Sequence, residues 1–118
     1  MTSRNRRNHN PGNIVAGTFT KWIDSKSVTD GRFAIFRNDM MGVAALARLF
    51  AGGVYNKLTL SQAISRFAPP EDHNPTNKYA EYVSKHADIP LTQTLGTLNL
   101  EQCLNLIDAM ARFEGWYA

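Results

Sequence analysis

Asp30-Gly31-Arg32-Phe33-Ala34-Ile35-Phe36-Arg37-Asn38-Asp39 changes its grammar midway, and that change decides the fold. Asp30-Gly31 is a turn dipeptide, and the run Arg32–Phe36 behind it is short and rich in aromatic and branched residues, as a strand leaving a tight turn is. Asn38 and Asp39 are helix-capping residues. After them Val43, Leu46, Ala47, Phe50 and Val54 recur at helical spacing, with Gly52-Gly53 as the end of that helix. Upstream of the turn, Phe19–Ile23 is a second β-prone run, expected to pair antiparallel with Arg32–Phe36. Downstream, everything reads as helix. Thr59 with Gln62 forms a capping box ahead of Ala63, Ile64 and Phe67, and Pro69-Pro70 stops the run. Asn74-Pro75 reads as an N-cap and first helical residue, opening a helix whose apolar side is Tyr79, Tyr82 and Val83. Asn99 with Gln102 opens the last helix, which runs to about Phe113 before Gly115. The expected architecture is α+β: mostly helical, with a small antiparallel sheet near the N-terminus.

The 118 residues match one domain, 1–118, and 43% hydrophobic against 19% charged residues places the chain among folded proteins. No apolar run follows the N-terminal arginines, so no secretory signal is expected. The most apolar stretch, Met40 to Val54, is interrupted by Arg48 and too short to span a bilayer. Residues 1–37 hold seven basic side chains against two acidic ones, and the remainder is slightly acidic. A basic N-terminal third favours a polyanionic partner, nucleic acid or an anionic cell wall, and does not choose between them.

The last helix carries the sharpest chemical signal. Cys103, Ile107 and Met110 are spaced four and three apart, flanked by Leu106 and Phe113, and read as one buried stripe with Cys103 in the core. Four residues beyond Met110 lies Glu114. The opposite face reads Glu101, Asn105, Asp108, Arg112, a solvated stripe. A carboxylate turned toward the apolar side loses solvation, and its pKa rises, the condition a general acid needs. The other acids carry less: Glu81 lies between Lys78 and Lys85 on a polar face, Asp30 belongs to a turn, and Glu71 with Asp72 follows Pro69-Pro70 in a loop. His9, His73 and His86 show no metal-ligand spacing, and no cofactor motif or Ser or Cys nucleophile motif is present. Asn5, Asn8, Asn10 and Asn13 cluster around Pro11-Gly12. Amides that both donate and accept suit the N-acetyl and hydroxyl groups of a sugar, and they equally suit capping of their own backbone.

Arg7-Asn8-His9-Asn10-Pro11-Gly12-Asn13-Ile14 resembles, at all but one position, the Arg-Asn-Asn-Asn-Pro-Gly-Asn-Ile motif of small phage proteins that include the virion-associated lytic enzyme of enveloped double-stranded RNA phages. The likeness continues through Trp22, Arg32-Phe33 with Phe36, Gly42 with Ala45, Ala68-Pro69-Pro70, Asn74 with Thr76 and Tyr79, and Glu114-Gly115. The chain departs from that family at His9 and in the rearranged loop Glu71-Asp72-His73-Asn74-Pro75-Thr76. The resemblance implies a lysozyme-like fold, action on bacterial peptidoglycan in the manner of a lytic transglycosylase or muramidase, and a place in a phage virion or in host cytoplasm before release to the periplasm. Lysozyme-like enzymes carry their acid on a helix ahead of the Asn-rich turn, and here no glutamate precedes Asn8. The order is restored if the last helix packs against that turn, as in a circular permutation. The resulting expectation is Glu114 as general acid, Asn8, Asn10, Asn13 and Tyr79 at the sugar, and Glu71 as runner-up acid, with no metal or cofactor, no nucleic acid and no membrane span. A non-catalytic virion or wall-binding protein and a stem-peptide endopeptidase remain open alternatives.

Overall fold

The computed structural model describes residues 3–72 and 75–117. In chain order these form α1 (Arg4–Arg7), α2 (Thr18–Ile23), β1 (Val28–Thr29), β2 (Ala34–Ile35), α3 (Asp39–Ala51), α4 (Leu60–Phe67), α5 (Thr76–Ala87) and α6 (Leu100–Phe113). Single 3-10 turns at Tyr55–Lys57, Pro70–Asp72 and Leu95–Thr97 link the larger helices. The architecture is α+β, six helices with one two-stranded antiparallel sheet.

The helix starts expected at Asn38, Thr59 and Asn99 hold, and each has a visible cause. The Asn38 side chain accepts from the Met41 amide at 2.9 Å. Thr59 with Gln62, and Asn99 with Gln102, each close a reciprocal capping box. These bonds satisfy amides that a helix N-terminus otherwise leaves without partners. Gly52 ends α3, and α4 stops just before the prolines. Asn74 lies outside the described residues, and α5 begins at Thr76, one residue later than expected, with Pro75 in the cap position at ψ 65° rather than in the helix.

Two expectations are corrected. Phe19–Ile23 is not a strand but part of α2. Thr20 Oγ1 accepts from the Gly17 amide at 2.9 Å and donates to the Gly17 carbonyl, which nucleates a helical turn. Phe19 and Ile23, four apart, then face the core while Trp22 turns outward, so the burial period is that of a helix. The strand partner is instead Val28–Thr29, in register Val28↔Ile35 and Thr29↔Ala34, which leaves Asp30-Gly31 in the connecting turn. On the other side of β2, Ile14 and Ala16 add backbone bonds to Ala34 and Arg32, so an extended third segment flanks the sheet.

The second correction is Cys103, which is exposed. The buried line of α6 is Leu106, Ala109 and Met110, with Ile107 and Phe113 partly covered. Leu100, Cys103 and Leu104 line an open hollow with Ala47, Phe50 and Leu95 instead of closing into the core, so they stay at the surface although their spacing is that of a core stripe.

One core joins the layers. Phe36, just past β2, shares one buried cluster with Leu46 and Phe50 of α3, Ile64 of α4, Val83 of α5 and Met110 of α6. The Asn-rich turn sits directly on α3. A Cβ on Gly42 would lie 1.8 Å from the His9 carbonyl oxygen, and one on Gly12 would lie 2.7 Å from a Leu46 methyl. Only a glycine at position 42 lets the helix approach that backbone, which is the physical content of the Gly42-x-x-Ala45 spacing. Among the described residues no helix is long and apolar enough to cross a membrane.

Candidate active site

The end of α6 meets the Asn-rich turn and the sheet at a cleft of about 360 Å³, and Glu114 lies in its wall. The helical frame carries through Glu114, whose amide bonds to the Met110 carbonyl at 3.0 Å; Gly115, at φ +86°, then turns the chain away. Asn13, Ile14, Arg32, Phe33 and Phe67 form much of the rest of the wall, and among the described lining residues Glu114 is the one acid and Arg32 the one base.

Glu114 is held from behind by Tyr79. The phenol hydroxyl donates to Glu114 Oε2 at 3.0 Å. Tyr79, expected at the sugar, is instead only 2% exposed and not part of the described cleft wall, because its ring stacks on Phe113 with centroids 4.2 Å apart and meets the edge of Phe67. The ring therefore cannot swing, and the hydroxyl approaches the carboxylate from a fixed direction. Burial pushes the Glu114 carboxyl above its ordinary range, against the opposing pull of hydrogen bonds from Tyr79 and Asn13. Burial, then the neighbouring Glu114 charge, pushes the Tyr79 phenol well above its own ordinary value, so it stays a neutral donor.

The asparagines divide into builders and one lining residue. Asn10 is wholly buried: its Nδ2 donates to the carbonyls of Ile14 (3.0 Å) and Ala34 (2.9 Å), and its Oδ1 accepts from the Ile14 amide (2.9 Å). It joins the turn to the sheet and leaves no hydrogen-bonding edge for a ligand. Asn8 is also buried, donating to Asp30 Oδ2 at 2.9 Å. Asn5, which the sequence reading did not place at the site, donates to the Glu114 backbone carbonyl at 3.0 Å and so fixes the end of α6 against α1. Ser3 Oγ bonds to the Gly115 carbonyl, and the Arg6 guanidinium lies 4.2 Å from the centre of the Trp116 ring, on the same junction.

Asn13 alone of the three expected sugar-binding asparagines lines the cleft. Its backbone is left-handed, φ +49°, a conformation asparagine tolerates better than most residues. Its Oδ1 is buried without a protein partner among the described residues, an arrangement that costs free energy and is found where a group serves a site rather than the fold. His9, the departure from the resembled motif, also stands at φ +50°, and its Nδ1 is 2.7 Å from Asp39 Oδ1 at the start of α3.

The other acids lie elsewhere. Asp30 is pulled down to about 2 by the Asn8 hydrogen bond, by the amides of Arg32 and Phe33, and by Arg4. It stays ionised and pins the turn. Glu71 is exposed in the Pro70–Asp72 turn and is not part of the cleft wall; His73 is outside the described residues. Glu81 is exposed on α5. No group of three or more His, Cys, Asp or Glu residues able to hold a metal ion occurs among the described residues. The cleft residues Arg32, Phe33 and Phe67 carried no ligand-binding signal of their own in sequence; the first two were visible only as members of the resembled motif.

No protein-family model matches the chain, and no curated protein is similar enough to count as a relative.

Proposed function

We propose that this protein cleaves the β-1,4 glycan strand of peptidoglycan, with Glu114 as its general acid. The observation that carries the reading is a single carboxyl group, raised by burial, lining a cleft and oriented by a buried tyrosine hydroxyl. A raised pKa favours the protonated carboxyl, the form that can give its proton to a leaving glycosidic oxygen. The Glu114 proton passes to that oxygen as the C1–O bond breaks. The substrate's own 6-hydroxyl then attacks C1 and returns its proton to Glu114, closing a 1,6-anhydro ring and consuming no water. Such a transglycosylase cycle needs one carboxylate, which fits a cleft wall with one acid. A muramidase would instead admit water at C1.

The contact of α6 with α1 and the Asn-rich turn also supports a circularly permuted, lysozyme-like arrangement, since it brings the acid beside that turn although it is far away in sequence. Under this reading the protein belongs to a phage virion, or to host cytoplasm before it reaches the wall. Purified peptidoglycan is the test: clearing with release of anhydromuramyl products supports the transglycosylase, reducing ends indicate the muramidase, and free stem peptides with intact strands indicate an endopeptidase. Binding without any clearing would sink the enzymatic reading and leave a wall-binding virion protein.

A further inference from the structure

Trp22 is 66% exposed, an unusual position for the largest apolar side chain, and it stands in a second hollow of about 400 Å³ rather than on a bare surface. Phe19 flanks it with ring centroids 6.5 Å apart. The Arg48 guanidinium lies 5.6 Å from the centre of the Trp22 ring, and across the hollow the Arg66 guanidinium lies 6.0 Å from the centre of the Tyr55 ring. Arg4, Arg6, Arg37 and Arg112 each hold an aspartate, whereas Arg48 and Arg66 have no carboxylate within ion-pair distance among the described residues. Among the described residues no acid lines the hollow. Leu49 lines both this hollow and the cleft that contains Glu114, so the two are neighbours on one surface.

We propose that Trp22, Tyr55, Arg48 and Arg66 form a binding subsite for an acidic sugar of the strand whose scissile bond lies at Glu114. The inference rests on the glycan-cleaving reading and extends it to a site remote from the acid. An indole face stacks on the apolar C–H face of a pyranose, and a flanking guanidinium pairs with a carboxylate in two parallel bonds. A ligand that uses both must carry a ring and a negative charge together. In peptidoglycan that is the muramyl residue, with its lactyl group and stem peptide; a neutral amino-sugar chain satisfies only the stacking half. Two guanidinium groups already held over aromatic rings meet such a ligand with less loss of side-chain freedom than free arginines would.

The test is binding of soluble glycans to the full chain carrying Glu114→Gln, which prevents turnover, read from the two tryptophan indole N–H resonances assigned with Trp22→Phe. Trp116 is buried and serves as the internal reference. The expected result is that a peptidoglycan strand fragment with its carboxylates shifts the Trp22 signal at concentrations where a chitooligosaccharide of the same length shifts it far less. The double substitution Arg48→Gln and Arg66→Gln should weaken binding of the acidic fragment on the order of ten-fold and leave the neutral one unchanged. A silent Trp22 signal, an equal response to both glycans, or tighter binding of a single-stranded oligonucleotide at the same residues overturns the subsite. A Trp22 shift in a protein that clears no wall would retire the enzymatic reading alone, and an active enzyme with a silent Trp22 would retire the subsite alone.

Discussion

Tyr79 donates its hydroxyl to Glu114 Oε2 at 3.0 Å across the packing of α5 on α6, two residues 35 apart in the chain. The bond favours the ionised carboxylate, whereas the burial that surrounds it favours the protonated one, and burial is the larger influence. The acid strength of Glu114 is thus a balance between two neighbours, and each can be removed separately.

Tyr79→Phe deletes the donor and keeps the ring between Phe113 and Phe67. Losing a hydrogen bond to the charged form raises the Glu114 pKa further. The alkaline limb of the pH profile for wall clearing, where the acid loses its proton, should move to higher pH, while the maximal rate falls as the carboxyl loses its orientation. An unmoved limb would show that Tyr79 only packs.

Glu114→Gln should lower clearing of peptidoglycan by about a hundred- to ten-thousand-fold, the range lost with a positioned acid, because the amide has nearly the same size and no proton to give. Glu81→Gln, on the exposed face of α5, should clear at the wild-type rate. If Glu114→Gln remains active while Glu71→Gln is dead, the acid lies in the proline turn instead.

The same Glu114→Gln change should raise the melting temperature at neutral pH. The folded protein holds the Glu114 proton more tightly than the unfolded chain, so its stability is fully present below the ordinary carboxylate range and falls as pH rises through the raised value. Glutamine has no such charge to bury. The gain should therefore shrink to nothing on acidification, and a gain that is constant with pH would contradict the burial argument.

Asp30 has the opposite sign. Its folded-state pKa lies near 2 against an ordinary 3.8, so its contribution is present above 3.8 and is lost as pH falls toward 2. Asp30→Asn should be less stable than wild type at neutral pH, through the loosened Asn8 and Arg4 contacts, with the deficit disappearing over that acid window in thermal melts.

Gly42→Ala drives a methyl into the His9 carbonyl, and neither helix nor turn can yield without moving the other. The expected destabilisation is about 1–3 kcal/mol or more, with lost activity because the turn carries Asn13. Gly53→Ala, with nothing within 4 Å of its new Cβ, should melt like wild type.

Local chemistry made much of this molecule legible in advance. Caps at Asn38, Thr59 and Asn99 are written in adjacent residues and act over three positions, so the long helices start where expected. The four-residue step from Met110 to Glu114 is likewise a property of one helix, which is why the turn of that carboxyl toward the apolar side could be read before its surroundings were known. Burial is different in kind, because it depends on what lies opposite. Cys103 has the spacing of a core residue and not the cover, since it stands in the wall of an open hollow between α3 and the first turns of α6. Phe19–Ile23 has the composition of a strand, but Gly17 and Thr20 close a helical turn and the core accepts Phe19 and Ile23 together. Asn8 and Asn10 carry chemistry suited to a sugar, yet their amides are consumed by Ile14, four residues from Asn10, and by Asp30 and Ala34, which only chain closure brings to them. Tyr79 could be read as a core aromatic and, from the resemblance, as a sugar contact; that its hydroxyl would point at Glu114 was set by the docking of α5 on α6, where a buried phenol must find an acceptor.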